Sequence, residues 1–156
     1  MKFLYLDIDG VLAVGYKKPK QTAWGYVEKW DSKCVSVLNE ITGMTGAEII
    51  VSSDWKLNFT KKELDKIFKW QGASGVPLDV TPDLGRRVLQ TLELDRAKEI
   101  LMHVEKHKPE AWVAVDDLDL TKYLDGHFVH LSRWMEGIKQ SSKSQKIIQI
   151  LNGYQK

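Results

Sequence analysis

Apolar and polar positions along this chain fall into short blocks whose spacing alternates between that of a strand and that of a helix. Lys2–Leu6 carries the unbroken run Phe3-Leu4-Tyr5-Leu6, the pattern of a strand buried on both faces. Lys33–Met44 follows with helical spacing, Val37, Leu38 and Ile41 lying on one side and Asp31 or Ser32 standing where a cap belongs. Ala47–Val51 is a second buried parallel strand that ends at Ser52. Thr60 and Glu63 match a capping box, and Leu64, Ile67 and Phe68 give the apolar face of a helix that stops before Gly72. Thr81-Pro82-Asp83-Leu84 predicts the opening of a further short helix. Glu93–Glu105 has a stripe of Leu94, Ala97, Leu101 and Val104, with Ile100 beside it. Ala111–Val115 reads as a third strand ending at Asp116, and His127–Leu131 as a fourth. Gly137–Leu151 predicts a closing helix built around Ile138, Ile147, Ile148 and Leu151. Ala13–Lys29 and Gly72–Arg87, rich in Gly, Pro and aromatics, read as loops or small hairpins.

Strands alternating with helices predict an α/β fold with an open, mostly parallel sheet. With 156 residues and no repeat, low-complexity tract or linker, residues 1–156 are expected to form one domain. Composition adds exclusions. Lys and Arg number 23 against 21 Asp and Glu, a balance too mild to imply nucleic acid by itself. The single cysteine, Cys34, rules out an internal disulfide framework and suits a reducing compartment. No apolar run approaches the roughly 20 residues that span a bilayer. Asp7 and Asp9 also interrupt the first apolar stretch too early for a signal peptide. A cytoplasmic protein, with no membrane and no obligate protein partner, is the expectation.

The chemistry concentrates where strands end. Ligands of open parallel sheets bind beyond the carboxyl ends of the strands. Three strands end there in polar groups: Asp7 and Asp9, then Ser52, then Asp116 and Asp117. Each site alone is equally well a turn, since Asp is a common turn former and Asp119 makes Asp116–Asp119 locally acidic. All three together are a less ordinary coincidence. Two neighbouring carboxylates repel unless a cation or proton intervenes, and a divalent ion beside a phosphoryl group supplies that reason. One carboxylate can attack phosphorus, and the other can protonate the leaving oxygen and later activate water. Asp116 completes an oxygen-rich sphere suited to Mg²⁺, which the Asp9 backbone carbonyl can join. Ser52 can hydrogen-bond a phosphoryl oxygen. Arg96 and Lys98 are the candidate cations for the developing charge.

These residues resemble the haloacid dehalogenase (HAD) superfamily of phosphohydrolases. Leu4-Tyr5-Leu6-Asp7-Ile8-Asp9-Gly10-Val11-Leu12 is similar to its Asp-x-Asp-Gly-x-Leu signature, and Trp112-Val113-Ala114-Val115-Asp116-Asp117 to its acidic fourth motif. Ile49-Ile50-Val51-Ser52 is a shorter match in the right order. The resemblance implies a three-layer α/β/α Rossmann-like fold, Asp7 as nucleophile, Asp9 as general acid/base and Ser52 as phosphoryl ligand. It also implies Asp7, Asp9, Asp116 and Asp117 around Mg²⁺. Ser53 takes the place of Ser52 if the strand runs one residue further. The third motif falls in Asp95-Arg96-Ala97-Lys98-Glu99-Ile100, where family members commonly carry a Lys; Lys98 is open, but the stretch resembles the Arg-containing helix start of small members, which favours Arg96 and leaves Lys98 as a solvated side chain. The arrangement resembles small members related to nucleic-acid end-repair phosphatases, as does Trp55 after Ser52-Ser53-Asp54, which either walls the phosphate pocket or packs.

About two dozen residues separate Asp9 from the helix near Lys33, and some forty separate Ser52 from Arg96. Neither gap houses a large cap domain, so the site is expected to be open to a bulky phosphorylated end. Tyr16, Lys17, Lys18, Lys20 and Trp24 directly follow the nucleophile turn. They read either as a solvated loop with packed aromatics or as a surface that tracks a nucleic-acid backbone. The Ser- and Lys-rich stretch Lys139–Lys146 reads as the exposed face of the closing helix. His103, His107, His127 and His130 show no zinc spacing with Cys34 and are expected at surface and strand-edge positions. The expected activity is a Mg²⁺-dependent phosphomonoesterase working through an aspartyl-phosphate, with DNA, RNA or nucleotide phosphates as open substrate classes. The alternatives are a small-metabolite phosphatase and a phosphate- or nucleic-acid-binding module without turnover. Haloacid chemistry fits the paired acids poorly, and a phosphomutase wants a cap to retain its intermediate.

Overall fold

Leu4 and Leu6 leave one side of the first strand, Phe3 and Tyr5 the other, and all four are buried. A strand apolar on both faces must be covered on both, and this requirement sets the three layers. The computed structural model describes residues 1–85 and 88–153. In chain order its elements are β1 (Lys2–Leu6), β2 (Lys20–Thr22), β3 (Gly25–Val27), α1 (Ser32–Thr45), β4 (Glu48–Val51), α2 (Trp55–Asn58), α3 (Lys61–Trp70), β5 (Asp79–Val80), α4 (Leu92–His107), β6 (Ala111–Asp116), β7 (Phe128–His130) and α5 (Lys143–Asn152).

The main sheet has the order β5-β4-β1-β6-β7 and is parallel throughout. β1 lies at its centre, with Leu6 level with Val51 of β4 and Val115 of β6. One face of the sheet packs against Leu38 and Ile41 of α1, Leu64, Ile67 and Phe68 of α3, and Ile147 and Leu151 of α5. The opposite face packs against Ala97 and Ile100 of α4 and against Leu120 and Leu124. The open parallel sheet is the one the chain pattern predicts, and its α/β/α layering is the one the resemblance implies. Among the described residues no helix is long and apolar enough to cross a membrane.

Local chemistry explains the helix ends. Asp31, rather than Ser32, caps α1 by accepting from the Cys34 amide at 2.9 Å, and Gly46 closes that helix in the left-handed region. Both bonds of the Thr60–Glu63 capping box are present in α3.

Four expectations need correction. Thr81–Leu84 opens no helix: the Thr81 amide donates to the Val51 carbonyl and so extends the β5 edge. The closing helix is broken. Gly137–Lys139 forms a single 3₁₀ turn, Ser142 takes a positive φ, and only then does α5 begin. The cause is the Ile138 amide, which donates to the Val11 carbonyl at 3.0 Å and ties this segment to the turn after β1. The buried face of α4 is also rotated from the apolar stripe. Arg96, Glu99 and His103 are buried with Ala97 and Ile100, while Leu101 and Met102 are exposed. Finally, His103 is a core residue and does not lie at the surface. Within Ala13–Lys29 the small hairpin is β2 with β3, paired antiparallel. Gly72–Arg87 contains the two-residue strand β5, and its Arg86 and Arg87 lie outside the described residues.

The Asp31 cap yields a stability prediction. Burial raises the affinity of its carboxyl for a proton, but the Lys139 ammonium at 2.7 Å and the Cys34 amide outweigh it and bring its pKa down to about 2. A depressed carboxyl contributes stability above its unfolded pKa and loses it as pH falls through the folded one. Asp31→Ala is expected to cost about 1–2 kcal/mol at pH 7 in urea unfolding. The gap to wild type should narrow as pH falls from about 4 to about 2. A gap independent of pH would show that the charge contributes nothing.

Candidate active site

The turn after β1 decides where the first two acids go. The amides of Val11, Leu12 and Ala13 all donate to the Ile8 carbonyl, closing a tight loop immediately beyond the strand. Gly10 sits in that loop at φ +78°, and a Cβ there would lie 2.4 Å from the Asp117 Oδ2 atom. Glycine is thus required twice, for the left-handed backbone and for the approach of the β6 end. Because β4 and β6 flank β1, Ser52 and Asp116 follow or end the strands on either side of Asp7.

Asp7, Asp116 and Asp117 converge, each offering a carboxylate oxygen within 4.8 Å of the others. Asp7 and Asp116 are buried and Asp117 is half-buried. Arg96 reaches this cluster from the first turns of α4. Its Nη1 atom donates to Asp116 Oδ2 at 2.7 Å and to the Ser52 carbonyl at 2.8 Å, and lies 3.4 Å from Asp7 Oδ1. Its Nη2 atom stands 3.5 Å from Asp54 Oδ1. Lys98, two residues on, is exposed and lines a cleft with Leu84, Leu101 and Met102 instead. One helix thus carries both candidate cations and turns only one of them inward.

The electrostatics follow from burial. Burial first, and then the Asp116 charge, push the Asp7 carboxyl well above the usual range, against the pull of Arg96. Burial likewise raises Asp116 to about 6, although Arg96 and the Leu118 amide oppose it. Among the described residues Arg96 is the one cation paired with these three carboxylates, which leaves an excess of negative charge lined by oxygen donors. A hard divalent cation such as Mg²⁺ fits this donor set. Asp9 is placed differently. Its side chain is exposed and accepts from the Trp55 indole Nε1–H at 3.1 Å, so its carboxylate stands outside the three-acid cluster. Burial raises its carboxyl too, with Asp117 and Asp54 adding and the Trp55 bond opposing.

Ser52 Oγ is buried and has no hydrogen-bond partner among the described residues, and neither has Arg96 Nε. An orphaned donor beside Asp7 is the group that a phosphoryl oxygen would satisfy. Ser53 is occupied locally, its Oγ accepting from the Trp55 amide. Asp7, Asp9, Asp54, Leu92, Arg96, Asp117 and Leu118 enclose a cavity of about 150 Å³. A second cleft of about 400 Å³ adjoins it at Asp9 and is lined by Pro19, Tyr26, Val27, Trp55 and Phe59 among others. Asp119 instead binds Thr121 in an exposed turn.

Sequence reasoning gave no role to Asp54, which stands between the Ser52 strand end and α2, or to the buried Lys56–Glu99 pair at 3.1 Å beside Arg96's helix. Asp54 had a usable signal, its adjacency to Ser52. The Lys56–Glu99 pair had none, because only the packing of α2 on α4 brings it together.

Residues 3–142 match the family described as the HAD domain in Swiss Army Knife RNA repair proteins. No curated protein and no solved structure gives a significant match.

The close approach at Gly10 makes a test of the acidic cluster. Gly10→Ala should displace the Asp117 carboxylate and cost about 1 kcal/mol of stability through the left-handed backbone. Its affinity for Mn²⁺, followed by the electron paramagnetic resonance of the free ion, is expected to fall about tenfold. Wild-type affinity would remove Asp117 from the ligand set.

Proposed function

The chain belongs to the family of HAD domains of Swiss Army Knife RNA repair proteins, and from that membership we propose that it is a Mg²⁺-dependent phosphomonoesterase acting on phosphorylated nucleic-acid ends or nucleotides. The observation that carries the reading is the convergence of Asp7, Asp116 and Asp117 around Arg96, with the unpartnered Ser52 hydroxyl beside them.

In this mechanism Asp7 attacks phosphorus. The new bond runs from its carboxylate oxygen to the phosphoryl group, giving an aspartyl-phosphate, and the ester oxygen departs. Asp9 gives that oxygen its proton; its raised carboxyl and its place on the solvent side of the nucleophile support the role. The same group, now ionised, takes a proton from the water that hydrolyses the aspartyl-phosphate, and both carboxylates are restored. Ser52 and Arg96 hold the phosphoryl oxygens and the nucleophile in line. Asp7, Asp116 and Asp117, with the Asp9 backbone carbonyl, would hold the ion, whose positive charge keeps the nucleophile ionised and offsets the phosphoryl group. Lys98 has no part in this scheme, since it faces away.

Residues 1–156 act as one domain without a large cap. Only the β2–β3 hairpin and its flanking loops stand between the nucleophile turn and α1. The cleft beside Asp9 lies where a leaving group must go, and its aromatic walls suit a nucleoside better than a sugar phosphate. Tyr16, Lys18 and Lys20 are exposed in the stretch around Pro19, which lines this cleft, whereas Trp24 is packed against Trp70. The buried, unpaired Cys34 supports a cytoplasmic setting.

Hydrolysis of an aryl phosphate should require Mg²⁺, stop with EDTA, and fall at least about a thousandfold in Asp7→Asn. Activity that survives EDTA would reject the metal assignment, and an active Asp7→Asn the nucleophile. In a panel of 3′- and 5′-phosphorylated oligonucleotides, mononucleotides and sugar phosphates, the oligonucleotides or nucleotides should show the highest kcat/KM. The triple change Lys17→Ala, Lys18→Ala and Lys20→Ala should lower oligonucleotide turnover more than aryl phosphate turnover, by about tenfold at low salt. Equal losses on both would reject a backbone-tracking loop.

A further inference from the structure

We infer that Asp79, His103 and His107 form a second metal site, for a divalent transition ion such as zinc, separate from the acidic cluster. His103 and His107 stand one turn apart on the same face of α4, their rings stacked at 4.1 Å. Asp79, on the edge strand β5, comes to meet them. Its Oδ2 atom lies 2.8 Å from His103 Nε2 and 3.7 Å from His107 Nε2, and one donor atom from each residue falls within 4.8 Å of the other two. A tetrahedral ion with bonds of about 2.0 Å places its ligand atoms about 3.3 Å apart. The two separations to Asp79 straddle that value, and the donor atoms of the two histidines lie within 4.8 Å of each other.

The surroundings are those of a held ligand set. His103 is buried, and its other ring nitrogen, Nδ1, lies 2.9 Å from the hydroxyl of buried Tyr5. Without an ion, Nε2–H donates to the Asp79 carboxylate and Nδ1 accepts from the Tyr5 hydroxyl; an ion on Nε2 would shift the ring proton to Nδ1, which would then donate to the Tyr5 oxygen, the outer bond that fixes tautomer and ring orientation at metal sites. A cavity of about 390 Å³, lined by Val80, Pro82 and Met102 as well as the three ligands, leaves room for a water in the fourth position. Lys106 also borders this cavity, and its charge opposes a cation; the Asp79 carboxylate offsets it. The donor types separate the two sites. Two imidazoles and one carboxylate select zinc, nickel or cobalt, whereas three carboxylates select magnesium. His103 lies about two helical turns along α4 from Arg96, so an ion here would clamp the edge strand to the helix that carries the active-site arginine.

The test uses the full chain freed of metal and then saturated with Mg²⁺ to occupy the acidic cluster. Calorimetric titration with Zn²⁺ alone should give one site of micromolar affinity and a rise in melting temperature, and Co²⁺ should give visible d–d bands of a tetrahedral centre. His107→Ala, an exposed position that should fold normally, should weaken Zn²⁺ binding by more than about tenfold and abolish the bands. Asp79→Asn should weaken it as well, and His127→Ala should leave it unchanged. Zn²⁺ binding weaker than millimolar, or a His107→Ala protein that binds like wild type, would overturn the assignment. None of these readouts involves hydrolysis.

Discussion

The buried guanidinium of Arg96, held between Asp7 and Asp116, is the interaction on which the rest of the site depends. Isolated carboxylates at this depth would take up protons and lose both nucleophilicity and metal affinity. Arg96 holds part of that charge in place with the short bond to Asp116, and its hydrogen bond to the Ser52 carbonyl ties the same group to the end of β4. The compensation is incomplete, since Asp7 and Asp116 both keep raised carboxyls. That residual imbalance is what a divalent cation would relieve.

The sheet order makes this geometry possible. With β1 between β4 and β6, the three strand ends carrying Asp7, Ser52 and Asp116 are adjacent on one rim, and no loop has to reach across another. α4 packs on the face containing Tyr5, Ile50 and Ala114, so its first turns project Arg96 onto that rim. The polar groups of α4 are buried because they have work at both ends, Arg96 at the active-site rim and His103 against Tyr5 and Asp79 lower down. This explains why the helix buries a charged and polar face and leaves Leu101 and Met102 in solvent.

The turn after β1 is held from two directions. Gly10 admits the Asp117 carboxylate, and Gly137 lies so close to the Val11 carbonyl that a Cβ would stand 2.3 Å from it. The closing segment therefore bends to meet the turn, at the expense of a continuous helix. Rigidity of the loop after Asp7 thus comes from distant parts of the chain, which would suit the proposed nucleophile, a group that must be positioned within a fraction of an ångström.

Much of this was legible in the residues themselves. Strands β1, β4, β6 and β7, the α3 capping box and the acids at the ends of β1 and β6 follow from apolar runs and turn chemistry, which are local and need only neighbouring residues. Arg96 was favoured over Lys98 only by the motif resemblance, because both sit on one helix and its rotation against the sheet decides which one turns inward. The same rotation hid the buried histidine, and the two-residue strand β5 was too short to leave a periodic signal. Asp79 with His103, and Lys56 with Glu99, are pairings between residues far apart in the chain. The sequence by itself determined most of the elements and the kinds of chemistry at their ends. Tertiary packing alone decided which side chains meet, because burial acts on the faces that helices and strands present to one another and not on positions along the chain.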